Sequence, residues 1–381
     1  MKADLILSHE PQTFNLSWKE STNQRDNKRM KKKYTSIVVS VFLLVMLLTS
    51  CTGLEGAINS WSGVLLTDET VYFADAGHVY ALRAENGNTA WQYPEKASAT
   101  RVFLAAPVLV GEQLIVGDYA HLLTSLSSRD GKENWQFTEA TGRYIDSPLI
   151  VKDTIVAPNA DNHLYALDLF GAKKWTFEAA HSFWAQPASD GKTVFAPSLD
   201  HYLYALDLAT GNLKWKVDLS ASLVARPALV DGTIYIGNLD GGVFAVNSQN
   251  GNIIWNQKVS GGVWSAPVFV EGQLFFGDQT GNVNILKAVN GSIVQSIQTG
   301  SAVLGSGALL TEGVAFGNEK GELILFGFNG EKQWTRTVDG SIYSNLSVNG
   351  DRLLVIATKG EKQLVAMDVN GNENWYFSIK K

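Results

Sequence analysis

Aspartate recurs down this 381-residue chain at Asp75, Asp118, Asp161, Asp200, Asp240 and Asp278, with His78, His121, His163 and His201 close behind the first four. Carboxylates and imidazoles ligate divalent metals and move protons, so the series invites a metal site. The spacing argues against one. Successive aspartates are 38 to 43 residues apart, which puts each on a separate repeat, whereas metal ligands must converge to about 2.0–2.6 Å of one ion. Aspartate is also what turns prefer, so these residues read as turn formers on a mildly acidic rim, and no metal is expected. No Gly-rich phosphate loop, His-Glu-x-x-His pair or Gly-x-Ser-x-Gly elbow is present. Two further sets of residues could do chemistry. One is Trp61, Trp184 and Trp264 with Arg101, Asp146, Gln186 and Arg226, a combination of aromatic and charged groups suited to binding. The other is Cys51, the single cysteine, which has no disulfide partner and no second thiol for a metal cluster.

The elements that must position these groups follow from a second series. Tryptophan falls at Trp91, Trp135, Trp175, Trp215, Trp255, Trp334 and Trp375, and the missing beat is at Gln295. The intervals cluster at 40 residues, giving eight copies of one unit over residues 61–381. Each unit holds short β-rich runs closed by Asp-Gly, Glu-Gly or Asn-Gly turns. In the fifth they are Pro227–Val230, Thr233–Gly237, Gly242–Asn247 and Ile253–Lys258. Four antiparallel strands make a blade, so the expected fold is all-β, an eight-bladed β-propeller and one domain, since a propeller grows by adding blades. A monomeric propeller is expected.

Strand alternation then separates two faces. The loops entering the first strands and the turns between second and third strands share one; the other carries only tight turns. Aligning blades on Pro107, Pro148, Pro187, Pro227 and Pro267, the third residue before this point is Trp61, Leu104, Ile145, Trp184, Val224, Trp264, Gly305 and Ile342 in blades one to eight. Three tryptophans therefore approach the central channel, either as a plug or as an aromatic patch for a peptide or planar ligand. Just before the reference point lie Ser147, Gln186 and Arg226; Arg226 either pairs with Asp146 across the channel or offers a cationic spot. The loop from Pro94 to Arg101 is longer than its equivalents, a binding loop or a tolerated insertion.

The element Ala-Leu-Asp-Leu-Ala-Thr-Gly-Asn-Leu-Lys-Trp at residues 205–215 resembles the docking motif of the pyrroloquinoline-quinone-like (PQQ-like) propeller repeat family. That resemblance implies that the seven tryptophans of the series lie between blades and brace them, and that the contact beside Gln295 is weaker. Quinoprotein dehydrogenases of this fold have long insertions, a calcium site and commonly paired cysteines. None is visible here, so no cofactor and no enzymatic activity are expected.

Residues 30–50 carry Met30-Lys31-Lys32-Lys33, then 12 largely apolar residues from Ile37 to Leu48, then Thr49-Ser50, a secretion signal too short to span a membrane, which takes roughly 20 apolar residues. Leu48-Thr49-Ser50-Cys51 resembles the bacterial lipobox, implying cleavage before Cys51 and lipidation of its thiol. Residues 1–29 read as a start-site artefact or disordered leader, and residues 51–60 as a short tether. Residues 1–51 hold 8 of the 31 basic and 4 of the 37 acidic side chains, leaving 23 against 33 and a net charge near −10. Nucleic acid is therefore not an expected partner. Lipobox, size and repeat together are similar to the BamB-like lipoproteins of the outer-membrane barrel assembly machine, with two departures: residues 374–379 supply the last blade's own outer strand, and extended connecting loops are missing. The expectation is a lipid-anchored envelope scaffold binding an envelope or membrane protein, on the outer membrane if the organism has one and otherwise on the outer face of the cytoplasmic membrane. A receptor for a solute or polymer, and then a quinone enzyme, are the alternatives.

Overall fold

The computed structural model describes residues 61–98 and 100–379. The expected leader, signal segment, Cys51 and tether lie outside the described residues. Within them the chain forms eight four-stranded antiparallel sheets, each built from four consecutive strands. The first sheet is Gly63–Leu66, Thr70–Asp75, His78–Arg83 and Thr89–Tyr93; the last is Ser347–Asn349, Arg352–Ile356, Leu364–Asp368 and Glu373–Phe377. This is an eight-bladed β-propeller. In blade five the strands are Ala228–Val230, Thr233–Gly237, Gly242–Asn247 and Ile253–Lys258, within a residue of the runs legible in the sequence. The last blade's outer strand does come from its own C-terminal segment, as Glu373–Phe377.

Turn chemistry sets these registers. Val230 pairs with Thr233 across Asp231 (φ 47°) and Gly232 (φ 78°), a two-residue hairpin whose left-handed conformations match the twist of the strands. The second and third strands of each blade are packed on both sides by neighbouring blades, so Thr233–Gly237 and Gly242–Asn247 each bury four residues in a row. Outer strands face solvent and alternate, as Leu213–Asp218 does. The core consists of eight apolar clusters, one at each blade junction. One of them closes the ring: Leu354, Ile356 and Trp375 of blade eight pack with Val71, Phe73 and Leu82 of blade one.

The tryptophan series braces these junctions. An indole on one outer strand lies over the turn glycine before the next blade's outer strand, and its Nε1 donates to a carbonyl there. The bonds are Trp91 to Ser128 O (3.1 Å), Trp135 to Leu169 O (3.0 Å), Trp175 to Leu208 O (2.8 Å), Trp215 to Ser248 O (3.1 Å) and Trp255 to Ala288 O (2.8 Å). Trp375 to Ala84 O (2.9 Å) makes the same contact across the seam between the last and first blades. Gly211 shows why glycine is required: its φ is 73°, and a Cβ there would stand 2.7 Å from the Trp175 ring. Beside Trp334 the carbonyl bond comes from Arg336, whose guanidinium lies 5.3 Å from that ring and donates to Asn370 O. Between blades six and seven there is no indole; the Gln295 side chain meets Gly330, and the carbonyl bond comes from Gln273 Nε2 to Phe328 O (3.3 Å).

Two stability outcomes follow. Trp375→Ala removes a buried indole and its bond at the seam and is expected to cost about 3–5 kcal/mol, read by denaturant unfolding. Gln295→Trp is expected to raise the melting temperature by restoring the contact over Gly330; an unchanged or lower value would show that this junction cannot accept the indole.

Candidate functional site

The loops entering the inner strands and the turns between second and third strands do share a face and are hydrogen-bonded to one another. Thr141 N donates to Asp161 (2.8 Å), Ala180 N to Asp200 (3.0 Å), and Ser182 Oγ and Ser222 Oγ reach the carbonyls of Ala160 and Leu199. Inside this rim the channel mouth holds a cavity of ≈ 260 Å³. Its lining includes Trp61, Leu104, Ile145, Trp184, Val224 and Trp264, the expected residues of blades one to six. In blades seven and eight the positions are Leu304 and Tyr343, each one residue from the Gly305 and Ile342 that the sequence alignment predicts. Ile342 is buried against Gly317.

Aromatic packing fills part of the mouth. Trp61 stacks on Tyr343 with centroids 5.3 Å apart and meets Trp264 edge-on at 5.9 Å, geometries that aromatic pairs favour. Among the described residues the Nε1 atoms of Trp184 and Trp264 have no hydrogen-bond partner, unlike the six docked indoles. What the two rings bring to the mouth is apolar surface and not an inter-blade bracing bond.

A polar belt lies beside the aromatic group. Arg226 grips Asp146 with two bonds, Nη2 to Oδ1 at 2.9 Å and Nε to Oδ2 at 3.2 Å, and its Nη2 also reaches Ser147 Oγ. The ion pair joins blades three and five. Blade four is tied in by the Gln186 amide, which donates to Asp146 (2.9 Å), and by its side chain, which donates to Pro148 O (2.7 Å). Burial pushes the Asp146 carboxyl up, but the Arg226 charge and bonds, with the amides of Gln186 and Ser147, hold it below the ordinary carboxylate value. On the other side, Ala266 N donates to Ser306 Oγ, Ser306 N to Asn345 Oδ1, and Ser344 Oγ to Ser62 O. Neither Tyr343 nor the Ser306–Asn345 link was found in the sequence.

Arg101 is not part of this group. It binds Asp118 (2.6 Å), Tyr93 OH and Thr124 Oγ1, and lies over the rings of Tyr93 and Phe103. Asp118 is fully buried, so the pair anchors the end of the long loop. The rim aspartates accept local bonds: Asp161 from Tyr165 OH, Asp200 from Tyr204 OH, Asp278 from the amides of Thr280 and Asn282. Among the described residues no three His, Asp or Glu side chains are grouped to share a metal ion.

A ring of four-stranded blades braced by docked tryptophans, with its loops gathered around an aromatic channel mouth, is a PQQ-like β-propeller. The family model described as outer membrane protein assembly factor BamB matches residues 59–176 and 160–309, and the chain belongs to that family. Among curated proteins it is 27% identical over 107 residues to outer membrane protein assembly factor BamB of Bordetella pertussis, a match spanning 28% of this chain and 27% of that protein. Among solved structures, BamB from Moraxella catarrhalis matches with a TM-score of 0.68 at 20% identity, over 80% of this chain and 92% of that one. The computationally designed Ika8 protein matches with a TM-score of 0.70 at 14% identity, over 82% and 97%. The two structural likenesses speak for the fold alone.

Arg226→Gln strands the Asp146 charge and is expected to destabilise by on the order of 3 kcal/mol, while the double change Asp146→Asn with Arg226→Gln recovers most of the loss. The lowered Asp146 pKa means the pair stabilises the fold above the free carboxyl value of 3.8 and ceases to as pH falls through the depressed one. Chemical denaturation at stepped pH should therefore show the wild type losing more stability than the double variant below pH about 4.

Proposed function

We propose that the chain is a non-catalytic envelope scaffold, anchored to the membrane through a lipid on Cys51, whose propeller holds a protein partner in outer-membrane protein assembly. Membership of the BamB family across residues 59–309 carries this reading. The sequence of residues 30–51 supports export and lipidation, and with about ten residues between Cys51 and Trp61 the propeller stays within roughly 35 Å of its membrane. That membrane is the outer one where the organism has two. The contact surface is the channel-mouth face, where Trp61, Trp184, Trp264 and Tyr343 adjoin the Asp146–Arg226 pair; aromatic and arginine side chains are the groups that anchor protein interfaces. The nearby cavity favours one second reading, a receptor for a small solute or polymer.

The test is cross-linking in intact cells with the affinity-tagged, lipidated chain, followed by mass spectrometry of what co-purifies. Wild type is expected to recover an envelope or membrane protein. Trp264→Ala, and separately the Asp146→Asn with Arg226→Gln pair, are expected to reduce that recovery several-fold while the ring still melts cooperatively. Full recovery by both folded variants would remove the channel mouth from the interface. If wild type captures nothing specific, the solute reading takes precedence, and a thermal-shift screen over small solutes, including pyrroloquinoline quinone with calcium, decides it.

A further inference from the structure

The eight outer strands occupy the same place in eight sheets, each a free edge with backbone N–H and C=O groups turned outward. Such edges recruit other strands unless charge, proline or a cover prevents it. Among the described residues six of them carry charge within the strand: Glu133, Lys173, Lys216, Lys258, Lys332 and Glu373 each mark one. A seventh, Thr89–Tyr93, is short, runs into Pro94, and is partly covered by its own chain where Gln92 Nε2 donates to Glu95 O. The eighth, Ile293–Gln298 of blade six, has neither guard. Its sequence is Ile-Val-Gln-Ser-Ile-Gln, and it lies in a stretch from Ala288 to Thr311 that holds no charged residue and no proline.

The side chains on this edge are apolar and exposed. Ile293 and Val294 are 46% and 49% exposed, much as Ile253 and Ile254 of blade five are at 42% and 52%; what sets blade six apart is that its strand carries no charge, whereas the blade-five strand ends on Lys258. The bulge in this strand does not distinguish it, because every outer strand has the same register shift. Exposed β-branched residues on an unguarded six-residue edge match the pattern of strand addition.

We infer that the outer edge of blade six is a second interaction surface, which takes an extended, uncharged segment of a partner protein as a fifth strand. The backbone edge dictates an extended occupant, since only a strand pairs its N–H and C=O groups in series. The electrostatics dictate its chemistry: a charged segment would bring an unpaired charge against Ile293 and Val294, whereas alternating β-branched and hydroxyl residues match them. This surface is independent of the channel mouth, so the two fail separately.

The test uses the full chain and a fluorescein-labelled, acetylated eight-residue peptide of alternating threonine and valine, followed by fluorescence anisotropy. Saturable binding is expected, with slowed amide hydrogen exchange confined to Ile293–Gln298. Val294→Lys and Gln298→Lys each place a guard charge on the edge and should weaken binding at least tenfold with an unchanged melting temperature, while Gln257→Lys on blade five should leave it intact. The inference is overturned if binding is not saturable, if it survives both guard variants, or if those amides gain no protection. It is also overturned, in favour of pairing between two copies of this chain, if Val294→Lys abolishes a concentration-dependent dimer and no peptide binding is seen.

Discussion

Everything in this molecule depends on how closely one blade can approach the next. A four-stranded sheet cannot bury both its faces alone, and the second and third strands here are apolar on both sides. The indole laid over a turn glycine sets the spacing. Glycine serves twice at that point, since the turn needs a positive φ and the ring needs the room a Cβ would fill. The carbonyl bond then fixes the ring in azimuth as well as depth. With six such bonds, one arginine substitute and one junction where the Gln273 amide donates to the carbonyl instead, the ring is uniform in architecture but not in bracing.

The channel mouth is a product of that spacing. Trp61, Trp184, Trp264 and Tyr343 come from four blades and are distant in sequence, yet they reach a common opening because each occupies the same position in its own repeat. Repetition alone would make the opening symmetric. Asymmetry comes from what each repeat places there: bulky aromatics in blades one, six and eight pack together, while blades three, four and five contribute the Asp146, Gln186 and Arg226 network. One side of the mouth pairs its aromatic group with neutral serine and asparagine links, and the other carries the ion pair, internally neutralised, beside Trp184.

The strands and their order were legible in the sequence because tryptophan, glycine and the two-residue turns repeat in phase. Residues Thr233–Gly237 could be bounded from sequence alone, and Asp146 was one of two readings of Arg226. The register of the last two blades could not. In blade six the turn is Glu271-Gly272, and the Glu-Gly pair of blade seven looks equivalent, but there the hairpin closes Leu310 onto Gly313 and the glycine has moved out of the turn into the strand. In blade eight Gly350 moves the other way, to the first turn position between Asn349 and Arg352. Each displacement shifts the alignment by one residue, which hid Leu304 and Tyr343. Arg101 misled for a different reason: its partner Asp118 is a turn residue of the next blade, and no local pattern signals that the long loop ends on a buried carboxylate.

Among the described residues each blade is completed by its own stretch of chain, the eighth included, and no strand is shared between blades one and eight. The seam where the ring meets itself is thus held by side chains of the same kind as every other junction. In topological terms the seam between blades one and eight has no privileged place in the ring. A gene cut at another inter-blade loop and rejoined end to end would encode the same ring, and whole repeats are the natural unit by which such a protein is duplicated, lost or recombined.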